Sequence, residues 1–373
     1  MSATGTTSKE VEALLTRAQR EIDAGLLPGC QIVIARHNEI EVSEAYGDAT
    51  VDDRFVIFSA TKAFVAAAVW ILIGEGSIDE HQLVTEYIPE FATFGKESIT
   101  VEQVMLHTSG FPHAPLGAPK WWTRSGRVEQ FGNWRLNWEP GTAFEYHATS
   151  AHWVLAEIID RVTGGDYLDF IETRITGPIG LPGRVLGAPV EEQDGVKRLV
   201  NVGDEATPDE LEAVLGIREL PVAADVTADA LLVFNDAKTR ALGVPGGGGV
   251  MRATDVARFY QALLHNPDEI WNPAVLADVT SNVRNNLPDR IRGVPANRSL
   301  GLILAGDDGK ANLRGFGRTG SPRTFGHDGA GGQIAWADPD SGISFAYLTN
   351  GMDQHIIRQG RRGIALSSLA ALC

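Results

Sequence analysis

Apolar residues near the start of the chain recur at the spacing of a single helix face. These positions are Val11, Leu14, Leu15, Ala18 and Ile22. Thr7 and Glu10 stand three residues apart, as in a capping box, and Gly25 is suited to end the helix. The pattern therefore predicts an amphipathic first helix that begins at Thr7.

Short apolar runs of strand length follow at residues 30–35 and at about 40–45. His37 and Asn38 lie between the two runs, so we predict a β-hairpin. Similar runs return near the other end of the chain and are followed by a last helical pattern. The predicted strands cover about 300–304, 333–337 and 343–348, and the helix about 357–369.

The middle of the chain has a mainly helical pattern. Residues 64–73 are apolar almost all round, which predicts a buried central helix rather than a surface helix. Residues 177–241 have no clear period. The order of elements predicts an α/β fold, with one α/β domain built from residues 1–58 and 245–373 and a mostly helical domain inserted at 59–244.

Composition and charge narrow the function. The formal net charge of −16 argues against a nucleic-acid partner, because phosphate binding needs clustered Lys and Arg. The longest strongly apolar stretch, residues 63–73, is far shorter than the roughly 20 residues that span a bilayer, so we expect no membrane association. The N-terminus shows no signal-peptide pattern, and Cys30 and Cys373 are the only cysteines. We expect free thiols and a cytoplasmic location.

Ser59 and Lys62 stand three residues apart at the start of the apolar helix. This spacing brings the lysine amine towards the serine hydroxyl. A serine becomes a good nucleophile when a base removes its proton, and apolar surroundings lower the pKa of a lysine so that it can be that base. Taken alone, the pair is better explained by a capping serine and a surface lysine, because this spacing recurs by chance in most proteins of this length.

Further motifs in a fixed order give the pair its context. They are Ser59-Ala60-Thr61-Lys62, Val104 to Pro112 (VMLHTSGFP), Glu139-Pro140-Gly141, Phe144-Glu145-Tyr146, the glycine loop 246–249 with Thr254 and Asp255 set to cap the next helix, and Phe325 to Gly332 (FGHDGAGG). This succession resembles the serine β-lactamase and penicillin-binding protein superfamily, and most of all its class C-like (family VIII) carboxylesterases. The resemblance covers nearly the whole chain except about 177–241.

The resemblance implies a β-lactamase-like fold, in which an antiparallel sheet is flanked by helices and the active site lies between the two domains. It implies that Ser59 is the acylated nucleophile, Lys62 its base partner and Tyr146 the residue that shuttles protons. A phenolate near a lysine ammonium is expected to have a lowered pKa. The amides of Ser59 and Ala330 are implied as the oxyanion hole, and His327 and Gly329 as substrate-binding residues.

Two departures from the lactamase pattern favour ester cleavage. His327-Asp328-Gly329 stands where lactamases carry Lys-Thr-Gly, so a fixed positive charge is weakened near neutral pH. The family's Tyr-x-Asn reads Tyr146-His147-Ala148, which removes an amide that holds an acylamido substrate and helps to position the lysine. We therefore expect a carboxylesterase, with a D-amino-acid amidase, a D-aminopeptidase or a weak β-lactamase as the alternatives.

Other interpretations stay open at this point. Phe111, Trp121 and Trp122 are predicted to border the acyl pocket, although simple core packing explains them as well. The segment Gly315–Gly320 fits the G-x-G-x-x-G pattern, but Ser321-Pro322 follows it instead of a helix. No cofactor or metal is expected, and the expected partner is a small ester or amide. A non-catalytic ligand-binding protein on the same scaffold is the alternative from another class.

Overall fold

The computed structural model describes residues 8–220 and 226–373. The α-helices are α1 Lys9–Asp23, α2 Thr61–Gly74, α3 Val84–Tyr87, α4 Val101–Met105, α5 Arg124–Asn133, α6 Ser150–Thr163, α7 Tyr167–Ile171, α8 Pro208–Leu215, α9 Ala228–Leu231, α10 Ala237–Leu242, α11 Ala253–His265, α12 Pro273–Ser281 and α13 Ile356–Ala370. The strands are β1 Gly29–Arg36, β2 Glu39–Gly47, β3 Phe55–Val56, β4 Val200–Val202, β5 Val250–Met251, β6 Pro288–Asp289, β7 Val294–Pro295, β8 Ile303–Leu304, β9 Phe325–Gly326, β10 Ile334–Asp338, β11 Ile343–Thr349 and β12 Gly351–Asp353.

Both ends of the chain contribute to one six-stranded sheet. Its strand order is β2-β1-β11-β10-β9-β8, and every neighbouring pair is antiparallel. The central strand β1 is buried on both faces, with Val33 in the core shared with α2 and α11, and Ile32 in the core shared with α1 and α13. A strand that is covered on both faces has apolar residues on both, which is why residues 30–35 show no alternation of apolar and polar positions.

The predicted first helix and hairpin are confirmed, with one change at the helix start. The predicted capping residue Thr7 lies outside the described residues. In the structure α1 begins after Ser8, whose hydroxyl accepts the Val11 N–H. His37 and Asn38 join β1 to β2 with φ angles of 54° and 63°, the positive values that a tight two-residue hairpin turn requires.

Helix α2 is the buried central helix that the sequence predicts, since every residue from Thr61 to Leu72 is buried. The Trp70 indole N–H donates to the Leu300 carbonyl at 2.9 Å, and the Phe64 ring stacks on Phe259 of α11 at 3.8 Å. These contacts fix α2 against the sheet side of the molecule. The N-terminus of α2, and with it Ser59, is therefore held in a set position.

The inserted region is helical in most of its length but contains one strand that the sequence did not indicate. Strand β4 pairs in parallel with β12, Val200 opposite Gly351. The predicted strand at 300–304 is reduced to β8, because Gly301 has a φ of +92° and breaks the extended backbone. The division into two domains stays a prediction. No helix within residues 8–220 and 226–373 is both long and apolar enough to span a bilayer.

Candidate active site

Ser59 lies in a short 3-10 turn, Phe58–Ala60, that leads directly into α2. The residue before it, Phe58, has a φ of 46°, which is rare for a bulky side chain and persists only when the surroundings impose it. Two contacts do so here. The Phe58 ring meets the edge of Phe234 at 5.6 Å, and the Ile57 N–H donates to the Gly249 carbonyl at 2.9 Å. The serine hydroxyl is thus presented from a rigid turn.

Lys62 is fully buried one turn further along, and its amine contacts the Ser59 hydroxyl. Nζ lies 3.2 Å from Ser59 Oγ, 2.7 Å from the Ala148 carbonyl oxygen and 2.6 Å from the Gly246 carbonyl oxygen. A Cβ at Gly246 would lie 2.9 Å from the Ala148 oxygen, so glycine allows the two carbonyls to converge on the amine. The structure therefore joins three separate segments of the chain at the lysine.

Tyr146 stands beside this pair. Lys62 Nζ lies 5.0 Å from the centre of the Tyr146 ring, and the Tyr146 hydroxyl is buried without a hydrogen-bond partner among residues 8–220 and 226–373. Burial raises the pKa of Tyr146 above its ordinary value, against the opposing effects of the Arg298 charge and the Ser59 hydroxyl. The expected lowering of this pKa was wrong, because desolvation of the phenolate outweighs the nearby positive charge.

His327 follows strand β9 and is almost completely buried. The backbone N–H of His327 donates to the Tyr260 hydroxyl at 3.0 Å, and the ring nitrogen Nδ1 lies 2.8 Å from the Asp328 carbonyl oxygen. Burial, assisted by the Arg298 charge, holds the pKa of His327 below its ordinary value, although the Asp328 carboxylate opposes this. A neutral imidazole therefore stands where lactamases carry a cationic lysine.

Gly329 brings this loop against the serine turn. Its φ of −124° is ordinary, but a Cβ there would lie only 2.2 Å from the Ile57 carbonyl oxygen. Only glycine allows such an approach. Ala330 follows at once and lines the same cavity as Ser59. Its N–H is thereby a candidate donor to an oxyanion, as the sequence resemblance implies.

A cavity of about 260 Å³ connects these residues. Of the predicted site residues, Ser59, Tyr146, His327, Gly329 and Ala330 line it. The remaining lining residues are Phe58, Ala148, Thr149, Val226, Leu231, Phe234, Val244, Gly246, Gly247, Asp289, Ile291, Arg292, Arg298, Asp328 and Gln359. This size suits a small organic substrate, and the apolar part of the wall comes from both chain ends and the inserted region.

The predicted aromatic wall at Phe111, Trp121 and Trp122 was wrong for this cavity. Phe111 is fully buried and stacks on Trp134 at 5.6 Å, and Trp121 packs edge-on against Trp122 at 5.6 Å. None of the three lines the cavity. Aromatic residues next to a motif in sequence fill the helical core, whereas the rings of Phe58 and Phe234 face the site.

The departure at His147-Ala148 has a clear structural result. His147 Nδ1 lies 2.6 Å from the Glu145 carbonyl oxygen, and its Nε2 accepts the Phe111 N–H at 3.1 Å. These partners assign the proton to Nδ1, and burial lowers the pKa of His147 to about 3. The His147 ring thus connects the Glu145 and Phe111 backbones. The Ala148 carbonyl accepts from Lys62, the residue that the asparagine amide of Tyr-x-Asn was expected to position.

Sequence reasoning missed the charged residues of the site. Arg292 donates to both carboxylate oxygens of Asp328 at 2.9 Å, and the Arg298 guanidinium lies 5.2 Å from the centre of the Tyr146 ring. Arg292 and Arg298 belong to none of the sequence motifs. The one signal is that Asp328 adjoins His327 in the FGHDGAGG segment.

Comparison with known proteins agrees with this architecture. A model of the Beta-lactamase family matches residues 15–367. The chain is 27% identical over 318 residues to "Esterase/beta-lactamase LipL" of Mycobacterium tuberculosis, which covers 80% of this chain and 70% of that protein. It is 24% identical over 390 residues to a "Putative D-alanyl-D-alanine carboxypeptidase" of Salmonella agona, and the match covers 93% of this chain and 84% of that protein.

A solved structure described as a family VIII carboxylesterase superposes with a TM-score of 0.78 at 26% identity, covering 99% of this chain and 100% of that one. The family match spans almost the entire chain and includes every element that surrounds Ser59. The chain belongs to the Beta-lactamase family, the serine hydrolases of the β-lactamase fold.

Proposed function

We propose that the protein is a carboxylesterase that cleaves its substrate through an acyl intermediate on Ser59. The observation that carries the proposal is the 3.2 Å contact between Lys62 Nζ and Ser59 Oγ beside the cavity. A lysine on the protein surface would not be fully buried against the serine hydroxyl. The fixed geometry supports activation of the hydroxyl by the amine.

The first half of the reaction acylates the serine. Lys62 takes the Ser59 proton while Oγ attacks the ester carbonyl carbon, and the N–H groups of Ser59 and Ala330 stabilise the oxyanion. Tyr146 keeps its proton because burial raises its pKa. It is therefore suited to protonate the departing alcohol, after which the Lys62 proton restores the phenol.

The second half of the reaction uses the same groups on water. The amine and the phenol have by then returned to their starting protonation states, so the neutral Lys62 amine takes a proton from the incoming water, whose oxygen attacks the acyl carbon. Collapse of the second tetrahedral intermediate returns the proton to Ser59 Oγ and releases the carboxylic acid. Each bond formed and broken is then matched to a donor and an acceptor on this chain.

Ester cleavage is favoured over amide or lactam cleavage by the residues around the serine. The imidazole of His327, which burial keeps neutral, differs in charge from the lysine that lactamases carry at this position. An alcohol also leaves more readily than an amine. The relatives named as an esterase and as a family VIII carboxylesterase support the same choice, whereas the relative named as a carboxypeptidase makes an amidase the second candidate.

The experiment compares three chromogenic substrates on the same preparation: 4-nitrophenyl butyrate, a chromogenic cephalosporin and D-alanine 4-nitroanilide. We expect the ester to have the highest kcat/KM, by at least tenfold. A higher value for the anilide would replace the esterase with an amidase. Failure to turn over any of the three, with no release of a first equivalent of nitrophenol, would favour the non-catalytic binding protein.

A further inference from the structure

Arg298 is a buried cation in the wall of the active-site cavity. It is only 3% exposed, and its side chain makes no hydrogen bond or ion pair with any residue in 8–220 or 226–373. Nε and Nη1 are buried without partners. The guanidinium carbon lies 5.4 Å from the centre of the Phe144 ring and 5.2 Å from that of Tyr146. The two rings hold it by cation–π contact.

The acidic residues near Arg298 are already engaged by other donors. Asp328 accepts two hydrogen bonds from Arg292, both at 2.9 Å. Asp289 accepts the backbone N–H groups of Ile291 and Arg292 at 2.9 Å and 3.1 Å. A buried charge without a partner is costly, so a fold that keeps one next to its reaction cavity needs a reason for it.

The third guanidinium nitrogen, Nη2, is not among the buried unpartnered atoms, and Arg298 lines the cavity. Its open side therefore faces the space that holds the substrate. Lys62 Nζ lies 5.0 Å from the centre of the same Tyr146 ring, so the guanidinium and the catalytic amine both contact this ring. A group bound at Arg298 remains within the length of a small molecule from Ser59.

We propose that Arg298 binds a carboxylate carried by the substrate, so that the preferred substrates are esters with a free acid group. The proposal deepens the proposed function and rests on it. A guanidinium is the side chain best matched to a carboxylate, and such charge-assisted hydrogen bonds are stronger than neutral ones. The reaction itself is unchanged, because the added carboxylate takes no part in bond making or breaking.

Two matched pairs of esters test the proposal and distinguish the two sides of the scissile bond. Mono-4-nitrophenyl glutarate against 4-nitrophenyl butyrate places the carboxylate on the acyl side. 3-Acetoxybenzoate against phenyl acetate places it on the alcohol side. We expect the acidic member of one pair to have about 10–100-fold higher kcat/KM, the effect of a charge-assisted hydrogen bond. No preference in either pair would overturn the proposal.

The variant Arg298→Gln should abolish the preference. Its kcat/KM for the acidic ester should fall at least tenfold further than that for the neutral ester, and Arg298→Lys should retain part of the preference. Arg323→Gln, which removes an exposed arginine outside the cavity, should leave both values unchanged. Equal losses on both esters would show that Arg298 only positions Tyr146, and would refute a carboxylate site.

Wild-type protein provides a readout that does not depend on the folding of any variant. Glutarate should inhibit hydrolysis of 4-nitrophenyl butyrate competitively, at concentrations at least tenfold below those of its neutral diamide, glutaramide. Equal inhibition by the two would contradict the proposal. If neutral esters are hydrolysed without any carboxylate preference, the Arg298 inference fails and the esterase stands; if no ester is hydrolysed, the proposed function fails.

Discussion

Lys62 and Tyr146 have different surroundings, and these surroundings suit different tasks. A neutral lysine amine has two N–H bonds and one lone pair. The carbonyls of Ala148 and Gly246 accept from Lys62 Nζ at 2.7 Å and 2.6 Å, and the same nitrogen lies 3.2 Å from Ser59 Oγ, within reach of the serine proton. Tyr146, whose pKa burial raises, keeps its proton and is the acid in the proposed reaction. We therefore propose Lys62 as the base and Tyr146 as the proton donor.

Replacing Tyr146 by phenylalanine tests this division of roles. The variant should lose about 10²–10⁴-fold in kcat/KM, the usual contribution of a general acid. It should unfold at the same temperature as the wild type or higher, because the lost hydroxyl is buried and has no hydrogen-bond partner in the described part of the chain. Ester kinetics and thermal unfolding of one preparation measure both.

Tyr167→Phe is the matched control, since its buried hydroxyl donates to the Gly243 carbonyl at 2.6 Å and does not line the cavity. That variant should lose about 1 kcal/mol of stability and keep its activity. Full activity in Tyr146→Phe would remove the tyrosine from the reaction.

At the residue scale, sequence predicted the groups that sit in motifs and missed those that do not. Ser59 and Lys62 meet because helical spacing brings them together. Arg298 lies in the connection between β7 and β8, and no local pattern links it to Tyr146. The misassigned Phe111 shows the reverse error, since nearness to a motif in sequence says little about the direction of a side chain.

The elements around the serine meet through close backbone contacts. The loop after β9 approaches the turn before α2 so closely that Gly329 has no room for a side chain beside the Ile57 carbonyl. The glycine loop 246–249 approaches from the other side and supplies the Gly246 carbonyl to Lys62. The site is thus formed where three elements come together, rather than on any single one.

Gly329→Ala tests the importance of this approach. The added methyl group would lie 2.2 Å from the Ile57 oxygen, so the loop must move and carry the Ala330 N–H with it. We expect kcat/KM to fall by about 10²-fold, as for other displacements of about 1 Å in a catalytic group. Ester kinetics at a temperature where circular dichroism shows the variant folded are the measurement.

Gly363→Ala provides the control within α13, where a methyl group meets no atom within 4 Å. It should raise stability by about 0.5–1 kcal/mol and leave activity unchanged. Wild-type activity in folded Gly329→Ala would mean that the loop position does not matter to the reaction.

At the element scale, segments with a strong apolar pattern were predicted well, and segments without one were not. Strands β10 and β11 and helix α13 lie within about two residues of their predicted positions, because each is a long apolar or amphipathic run. Strand β4 was missed because it depends on a partner, β12, about 150 residues away. Pairing over such a distance leaves no periodic signal in a three-residue strand.

At the scale of the whole molecule, four buried histidines affect stability: His107 and His327 lie beside the Tyr146 ring, and His147 and His152 lie beside His107. Burial lowers the pKa of His107, His147, His152 and His327. The folded protein keeps these rings neutral, whereas the unfolded chain protonates them near pH 6.5. Their contribution to stability is therefore fully present above pH 6.5 and is lost as the pH falls.

We expect the free energy of unfolding to decrease from pH 7.5 to pH 6. Each histidine contributes up to about 1.4 kcal/mol per pH unit below its unfolded pKa. Asp160, whose pKa is raised by burial to about 6, begins to act in the opposite direction at the lower end of this window, so it offsets part of the decrease there. Denaturant unfolding at several pH values gives the slope.

His152→Leu should reduce that slope, since both ring nitrogens of His152 are buried without hydrogen-bond partners within the described residues. Stability that is constant from pH 7.5 to pH 6, or a slope unchanged in the variant, would refute this account of the histidines.

The central claim, that Ser59 forms the acyl intermediate, is tested most directly by covalent labelling. Trypsin releases residues 55–62 as one peptide, FVIFSATK, in which Ser59 is the only serine. After treatment with a fluorophosphonate, mass spectrometry should find one adduct per chain, on Ser59, with equivalent loss of ester hydrolysis. Ser43→Ala should label normally and Ser59→Ala should not. An adduct on another residue that tracks with inactivation would contradict the account.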